Sequence, residues 1–432
     1  MRTKSLPLIL LLFAAVVAGC ADRTVRSYTA NIPEYQDIDT WRTAPITFGA
    51  AQELKNPGKI YVYGNLLLVG EQMKGVHFFN NADPSNPVNL GFLPVTANVD
   101  MAVRENVLYL DSYRDLLAFD ISNPSNPTLL SRTEDALEFD RWEEFACLPG
   151  FDMSYPFAVV DPNEGIVTGW HVGTVTTEGF MDMSNVRMIV SNNDFRGGTG
   201  TGKTGSATNM TPVGIAGSTA RFAISDNYLY ALSSSEIRTF DLTSGVSRLG
   251  TTDISWGANA ETIFLSDDLM FIGSNTGMLI YSISNPSNPS YLSFYDHGTG
   301  CDPVVVQGDR AYLTLATGRT CGGWMNILEV VDISNPSMPM SMYTYNMNSP
   351  RGLGVDENLI FLCDGDAGLK VFDKTDESSI DRHMIDQFTG IVANDVIPLG
   401  STLLMTSANG IYQYDYTDVR NIHQVSMIPI GN

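Results

Sequence analysis

Phe119–Pro127 reads FDISNPSNP, Tyr281–Pro289 reads YSISNPSNP and Val331–Pro339 reads VDISNPSMP. Phe79–Pro87, FNNADPSNP, keeps the length with a changed first half, and weaker copies without the Pro pair begin at Phe240-Asp241, Phe372-Asp373 and Tyr414-Asp415. One segment thus recurs seven times. Its Asn-Pro step has a physical job. Pro fixes its own φ, pushes the residue before it into extended geometry and offers no N–H, which ends one strand and turns the chain into the next.

Upstream of each copy the same order returns: an apolar strand, a polar turn such as Arg104-Glu105-Asn106 or Ser225-Asp226-Asn227, and a second strand such as Val107–Leu110 or Tyr228–Leu232. A third strand ends at the motif, and a fourth comes after it, as in Thr128–Ser131 or Ser290–Phe294. Each unit is four short strands separated by turn signals. The position after the aromatic or Val falls at 80, 120, 241, 282, 332, 373 and 415, so only the steps of 121 and 50 depart from a period near 41. Taking 134–219 as an insertion leaves 296 of the 382 residues in 51–432, about 42 for each of seven units. That is the period of a four-stranded propeller blade, so the fold expected is an all-β, seven-bladed β-propeller with a long insertion between blades two and three. The alternative is eight blades, the extra one hidden in the insertion and built from Phe157–Val160 and Gly165–Trp170.

The repeat, strand, turn, strand, then aliphatic or aromatic-Asp-Ile-Ser-Asn-Pro, resembles the LVIVD repeat of secreted bacterial proteins, and the resemblance implies a β-propeller. It covers roughly 55–133 and 219–432. Cys301–Val306 (CDPVVV), Cys321-Gly322-Gly323 and Leu362–Phe372 (LCDGDAGLKVF) further resemble a subset of large lipoproteins that carry this repeat. The family brings no established catalytic residues, so the resemblance implies none here. The copies at Phe240 and Tyr414 depart most from the pattern.

The N-terminus, MRTKSLPLILLLFAAVVAGC, has the design of an export signal: basic Arg2 and Lys4, an apolar run from Leu8 to Val17, then small residues. Ala18-Gly19-Cys20 resembles the lipobox of bacterial lipoproteins, which makes 1–19 a signal peptide, Cys20 the lipidated first residue of the mature chain, and 20–50 its tether. The mature chain then has a net charge of −25, against −23 for the whole sequence. Attachment to a membrane must come from acyl chains burying CH₂ groups, because this charge cannot supply it. The apolar run is too short to span a bilayer comfortably, and no later stretch offers twenty uninterrupted apolar residues, so no transmembrane helix is expected in the mature chain. The expected location is the bacterial cell envelope, at the periplasmic or surface face of the outer membrane.

The same acidity, 25 Lys+Arg against 48 Asp+Glu, disfavours nucleic acid as a partner. Gly197–Thr204 matches the G-x-x-x-x-G-K-[ST] phosphate loop letter for letter, but the residues after it, Gly205–Thr211, have no helical apolar period and run into Pro212. A flexible loop is expected, and no nucleotide. Asp364-Gly365-Asp366 has the opening of a calcium loop and lacks a ligating Glu downstream, so a β-turn is expected. His77, His171, His297, His383 and His423 show no i,i+4 pair and no Cys-x-x-Cys nearby, so no metal or cofactor is implied.

Apart from Cys20, the cysteines are Cys147, Cys301, Cys321 and Cys363. Cys301 opens the first strand of blade five and Cys321 lies in that blade's enlarged loop between second and third strands, positions that share one face of a propeller. A Cys301–Cys321 disulfide is therefore expected, contributing roughly 3 kcal/mol on the loop-entropy model. Cys147–Cys363 is the remaining pair, with free thiols the alternative.

That same face, here the upper one, collects the insertion, the blade-five enlargement and Trp142, Trp170, Trp256 and Trp324. Variable loops on a rigid repeat are where binding resides. Lys59, Asp100, Arg221, Glu261, Asp302, Arg351 and Asp395 fall at or next to first-strand starts, around the mouth of the channel. Converging mixed charge suits a polar ligand or a partner's charged side chain. Polar, solvated strand ends are the plain alternative. The sequence thus reads as an envelope-anchored binding scaffold presenting this face to a protein or glycan. The competing reading is a hydrolase or lyase using Asp100, Glu261, Asp302 and Asp395 as acid and base.

Overall fold

The computed structural model describes residues 25–138, 148–161, 163–178, 215–216, 220–254, 260–298, 303–316 and 325–431. The chain divides into two compact units, one from Met1–Ala44 and Glu143–Ser191, the other from Pro45–Trp142 and Asn192–Asn432.

The larger unit is a β-propeller of seven antiparallel blades, each with its four strands in sequence order. Their first strands are Pro57–Tyr63, Met101–Arg104, Phe222–Ser225, Ala260–Ser266, Val304–Gln307, Leu353–Asp356 and Ala393–Pro398. The motif aromatic or Val is what seats each blade. Phe79, Phe119, Phe240, Tyr281, Val331, Phe372 and Tyr414 are all 3% exposed or less, wedged between neighbouring sheets. In every blade the pairing of third and fourth strands shifts register immediately before this residue, a β-bulge that bends the outer strand.

The polar half of the motif then builds the lower face by short-range bonds. Asp120 accepts from the Ser122 N–H at 2.8 Å, and Asp241, Asp332, Asp373 and Asp415 accept in the same way from Thr243, Ser334, Thr375 and Thr417. These are Asx turns, the side chain standing in for a backbone carbonyl. The next residue is tied back to the turn between first and second strands, as in Ile121 N–H to the Asn106 carbonyl at 2.8 Å and Ile333 N–H to that of Asp309 at 3.0 Å. Blades 3 and 7 make the same two bonds as the others, Leu242 to Asn227 and Tyr416 to Ser401, although their motifs lack the Pro pair.

Blade 7 closes the ring on blade 1 without exchanging a strand. Ile397, Leu404, Ile411 and Ile428 pack with Leu54, Ile60, Leu67, Val69 and Phe79. Within this apolar seam the Asn81 and Gln413 carboxamides donate to each other at 2.9 and 2.8 Å, satisfying both buried side chains. The Gly431 N–H donates to the Leu54 carbonyl at 2.6 Å.

The insertion bears on the propeller in two ways that its length alone did not signal. Leaving blade 2, Ala136 and Leu137 join the core of blades 2 and 3, and Arg238 Nη1 donates to the Ala136 carbonyl at 3.1 Å. Returning, Ile215–Ala216 pairs antiparallel with Val62 and Tyr61 on the inner edge of blade 1, as a fifth strand at the channel.

The smaller unit corrects the reading of 20–50 as a tether. Val25–Gln36 is a 12-residue strand, paired antiparallel with Ile166–Glu178, and the helix Ile38–Thr43 comes next under an Asp37 cap. The pairing joins segments more than a hundred residues apart, which no local period could announce. It also assigns Gly165–Trp170 to this ribbon rather than to an eighth blade. Phe151, Phe157 and Trp170 pack with ring centroids 4.8 to 5.9 Å apart. No helix among the described residues is long and apolar enough to cross a membrane.

Candidate functional site

On the upper face the chain enters each first strand, and acidic residues at the ends of second strands shape three of these approaches. Glu71 accepts from the Lys55 and Asn56 amides at 3.0 and 2.8 Å, Asp111 from Val99 and Asp100 at 2.8 and 2.9 Å, and Asp364 from Asn348 and Ser349 at 2.9 and 2.7 Å. Sequence reasoning passed over this set. Aligning the second strands of blades 1 and 6 would have shown Glu71 and Asp364 at a common place, with Asp111 of blade 2 one position earlier. Blades 3, 4 and 7 have Ser233, Ser274 and Ser407 there instead, each accepting backbone N–H bonds from the adjoining turn.

Two of these acids are also paired with a base. Lys370 Nζ lies 2.6 Å from Asp364, which with the two amides makes this carboxylate a loop anchor; Gly365 beside it takes φ 55°. Glu71 lies 3.2 Å from His77 Nε2. Burial alone would raise the Glu71 carboxyl; the His77 bond and the two amides outweigh it and hold it below the ordinary value.

Two of the mouth charges, Lys59 and Asp100, are drawn onto each other. Asp100 is 3% exposed and pairs with Lys59, itself 5% exposed. Its oxygens also accept from the backbone N–H groups of Met101 at 2.6 Å, Arg221 at 2.5 Å and Phe222 at 3.0 Å. One carboxylate therefore ties blades 1, 2 and 3. Burial pushes the Asp100 carboxyl up and the Lys59 ammonium down, each opposed by the charge of the other. Across the ring, Arg351 donates Nη1 to the Asn394 side chain and its N–H to the Cys363 carbonyl at 2.7 Å, and the Thr314 hydroxyl donates to its carbonyl. Blades 5, 6 and 7 are joined there.

Asp395 is fully buried, and Gly352 lies so close that a Cβ would stand 1.9 Å from its Oδ1. Arg221, Arg351 and Glu261 are partly exposed. Arg221 Nη2 and Arg351 Nε are buried atoms with no hydrogen-bond partner among the described residues. Asp302, Trp256 and Trp324 lie outside the described residues, as do Cys20, Cys301, Cys321, Cys147, Trp142 and the Gly197–Thr204 loop. Trp170 is described and sits in the small unit, 2% exposed, rather than in a propeller loop. Cys363 is a buried free thiol whose pKa burial pushes up. A pocket of about 20 Å³, room for a single water, lies at the seam of blades 7 and 1, lined by Lys55, Asn56, Asn394 and Ser407 among others. No group of three His, Cys, Asp or Glu with metal-binding geometry occurs among the described residues.

Residues 98–135, 257–297 and 321–347 match the LVIVD repeat model. The chain carries LVIVD repeats. These segments contain the motifs at Phe119, Tyr281 and Val331, so the repeat that defines the match is the one that builds the lower-face turns. No curated protein matches the LVIVD chain in sequence. Among solved structures, the computationally designed Ika8 protein is similar with a TM-score of 0.50 and 10% identity, over 88% of this chain and 90% of its own. Hsv2 of Kluyveromyces lactis gives a TM-score of 0.46 at 10% identity, over 87% of this chain and 100% of its own. At such identities the likeness concerns fold alone.

Proposed function

We propose that this LVIVD propeller is a binding scaffold of the bacterial envelope, held through lipidated Cys20 at the outer membrane and presenting its upper face to a protein or glycan partner. One observation carries the reading: the buried mouth carboxylate Asp100 is consumed as a brace. Asp100 commits its oxygens to Lys59 and three backbone amides. A general acid or base must reach a substrate proton, and Asp100 reaches only the blades beside it. The hydrolase or lyase reading is the weaker for that.

Lys59, Asp100 and Asp395 then frame the mouth. Contact with the partner falls to Arg221, Arg351 and Glu261 beside it, with Asp302, Trp256 and Trp324 from the same strand starts and loops. A rigid ring holding variable loops lowers the entropy lost on binding. A Cys301–Cys321 bridge would stiffen the blade-five loop further.

Photo-crosslinking groups at Asn56 and Asn348 on the upper face, and at Asn123 and Asn335 on the lower face, test this in intact envelopes. Adducts from the upper positions alone are expected. Adducts confined to the lower pair would overturn the assignment of the face.

A further inference from the structure

We propose that the small unit seats an apolar patch on the lipid bilayer beside the anchor. The patch gathers around Asn31. This buried side chain donates to the carbonyls of Asp152 and Tyr155, both at 2.8 Å, and accepts from the Asp152 N–H at 2.9 Å. Its backbone bonds the Pro156 carbonyl and the Ala158 N–H, both at 2.8 Å, and across the ribbon it pairs with Val172. Five bonds to one residue fix the loop 152–158 along the strand edge, with Val159 directly after it. The loop presents Met153 at 47% exposure, Tyr155 at 37% and Val159 at 68%, with Val172 at 42% on the neighbouring strand.

A loop so tightly tied has no local need to hold apolar side chains in water. Beneath it Phe151, Phe157 and Trp170 already form the unit's own core. Clustered exposed apolar residues mark a contact surface. The occupant follows from chain length. Val25, the first residue of the ribbon, lies five positions after Cys20, a span of at most about 18 Å even when fully extended. A diacylated Cys20 therefore keeps the Val25 end of the ribbon near the headgroups, and with the ribbon lying along the surface the patch, about 20 Å further along the strand at Asn31, meets them where a Tyr with a polar tip and short aliphatic side chains are at home. Glu34, Asp37, Asp39, Asp152, Asp161 and Glu164 in the same unit make it an acidic surface, so zwitterionic lipid suits it better than anionic lipid. The inference rests on the lipidation in the proposed function.

Amide hydrogen exchange on the lipidated full chain in phosphatidylcholine nanodiscs tests it, against the soluble Cys20→Ser form. Exchange across 152–159 is expected to slow at least tenfold in the nanodisc, with no change in the helix Ile38–Thr43. Protection is expected to weaken with phosphatidylglycerol. In the variant M153S/Y155S/V159S/V172T it should vanish while the chain stays on the nanodisc. Equal exchange in an anchored chain overturns the docking and leaves the anchor intact; a wild-type chain that never associates with nanodiscs overturns the anchor itself. Protection of 152–159 that rises with protein concentration in the soluble form assigns the patch to a second copy and overturns the lipid.

Discussion

The two faces of the propeller are held by different physics. On the lower face turns close within each blade, Asp332 to Ser334, Asn335 to Ser337 and Ile333 to Asp309, and side chains then link neighbouring blades, as in Arg104 to the Asp226 carbonyl and Ser426 to the Pro84 carbonyl, both at 2.6 Å. On the upper face the bonds cross from blade to blade. Met73 and the Ala97–Asn98 pair exchange backbone bonds at 2.9 Å, Ala260 N–H reaches the Ser234 carbonyl at 3.1 Å, and Ala393 N–H reaches that of Gly365 at 3.1 Å. The lower face is therefore a set of locally closed turns stitched together by side chains, and the upper face a rim joined by backbone bonds and the buried Lys59–Asp100 pair. Damage to the rim loosens several blades.

The sharpest way to break this contrast is Asp100→Asn, which leaves the Lys59 ammonium buried without its counter-charge. A loss of about 3–5 kcal/mol in urea unfolding is expected, the usual result of removing one partner of a buried ion pair. Gln413→Leu at the closing seam strands the Asn81 carboxamide and should cost about 1–3 kcal/mol, with an unchanged m-value if the ring unfolds as one unit. Both effects should exceed the loss of a single Asx turn such as that of Asp332 with Ser334.

Smaller changes sharpen the comparison. Ala97 sits at φ 57° and is 2% exposed, a left-handed backbone held by its bonds to Met73 and Tyr113. Ala97→Gly removes the Cβ strain and gives back part of it as unfolded-chain entropy, for a net gain of about 0.5–1 kcal/mol by the same unfolding assay. On the lower face the smallest effect is one of pH. The N–H and hydroxyl groups two residues on hold Asp120, Asp241, Asp332, Asp373 and Asp415 below their ordinary value of 3.8. Because the folded values are the lower ones, the turns contribute fully above about pH 3.8 and lose that contribution as pH falls through the folded values. Asp332→Asn keeps the Asx acceptor and should flatten the acid limb of the melting temperature slightly; an unchanged limb would deny the turn any share in it.

This division also explains what the sequence could tell. Seven blades were legible because the motif satisfies its own backbone within a few residues, so the repeat must be spelled out each time. Phe119 and Asp120 carry their structural meaning locally. Asp100 does not. Its partners Lys59 and Arg221 lie 41 and 121 residues away, and its role appears only once blades 1 and 3 flank it. The sequence placed the mouth charges at the strand starts; that Lys59 and Asp100 pair as a buried brace and that Asp395 is buried depend on packing, which no spacing encodes. The ribbon of Val25–Gln36 with Ile166–Glu178, and the short strand at Ile215–Ala216, were hidden for the same reason: both pair with segments distant along the chain.

A double-mutant cycle between Lys59 and Asp100 bears most directly on the connected rim. The unfolding free energies of Lys59→Met, Asp100→Asn and the double variant should show a coupling of at least about 2 kcal/mol, the double variant recovering much of what either single loses. A parallel cycle between Asp120 and Asp332 on the lower face should give none. Additive losses at Lys59 and Asp100 would mean that the mouth charges do not hold the ring, and the account of the upper face would fall.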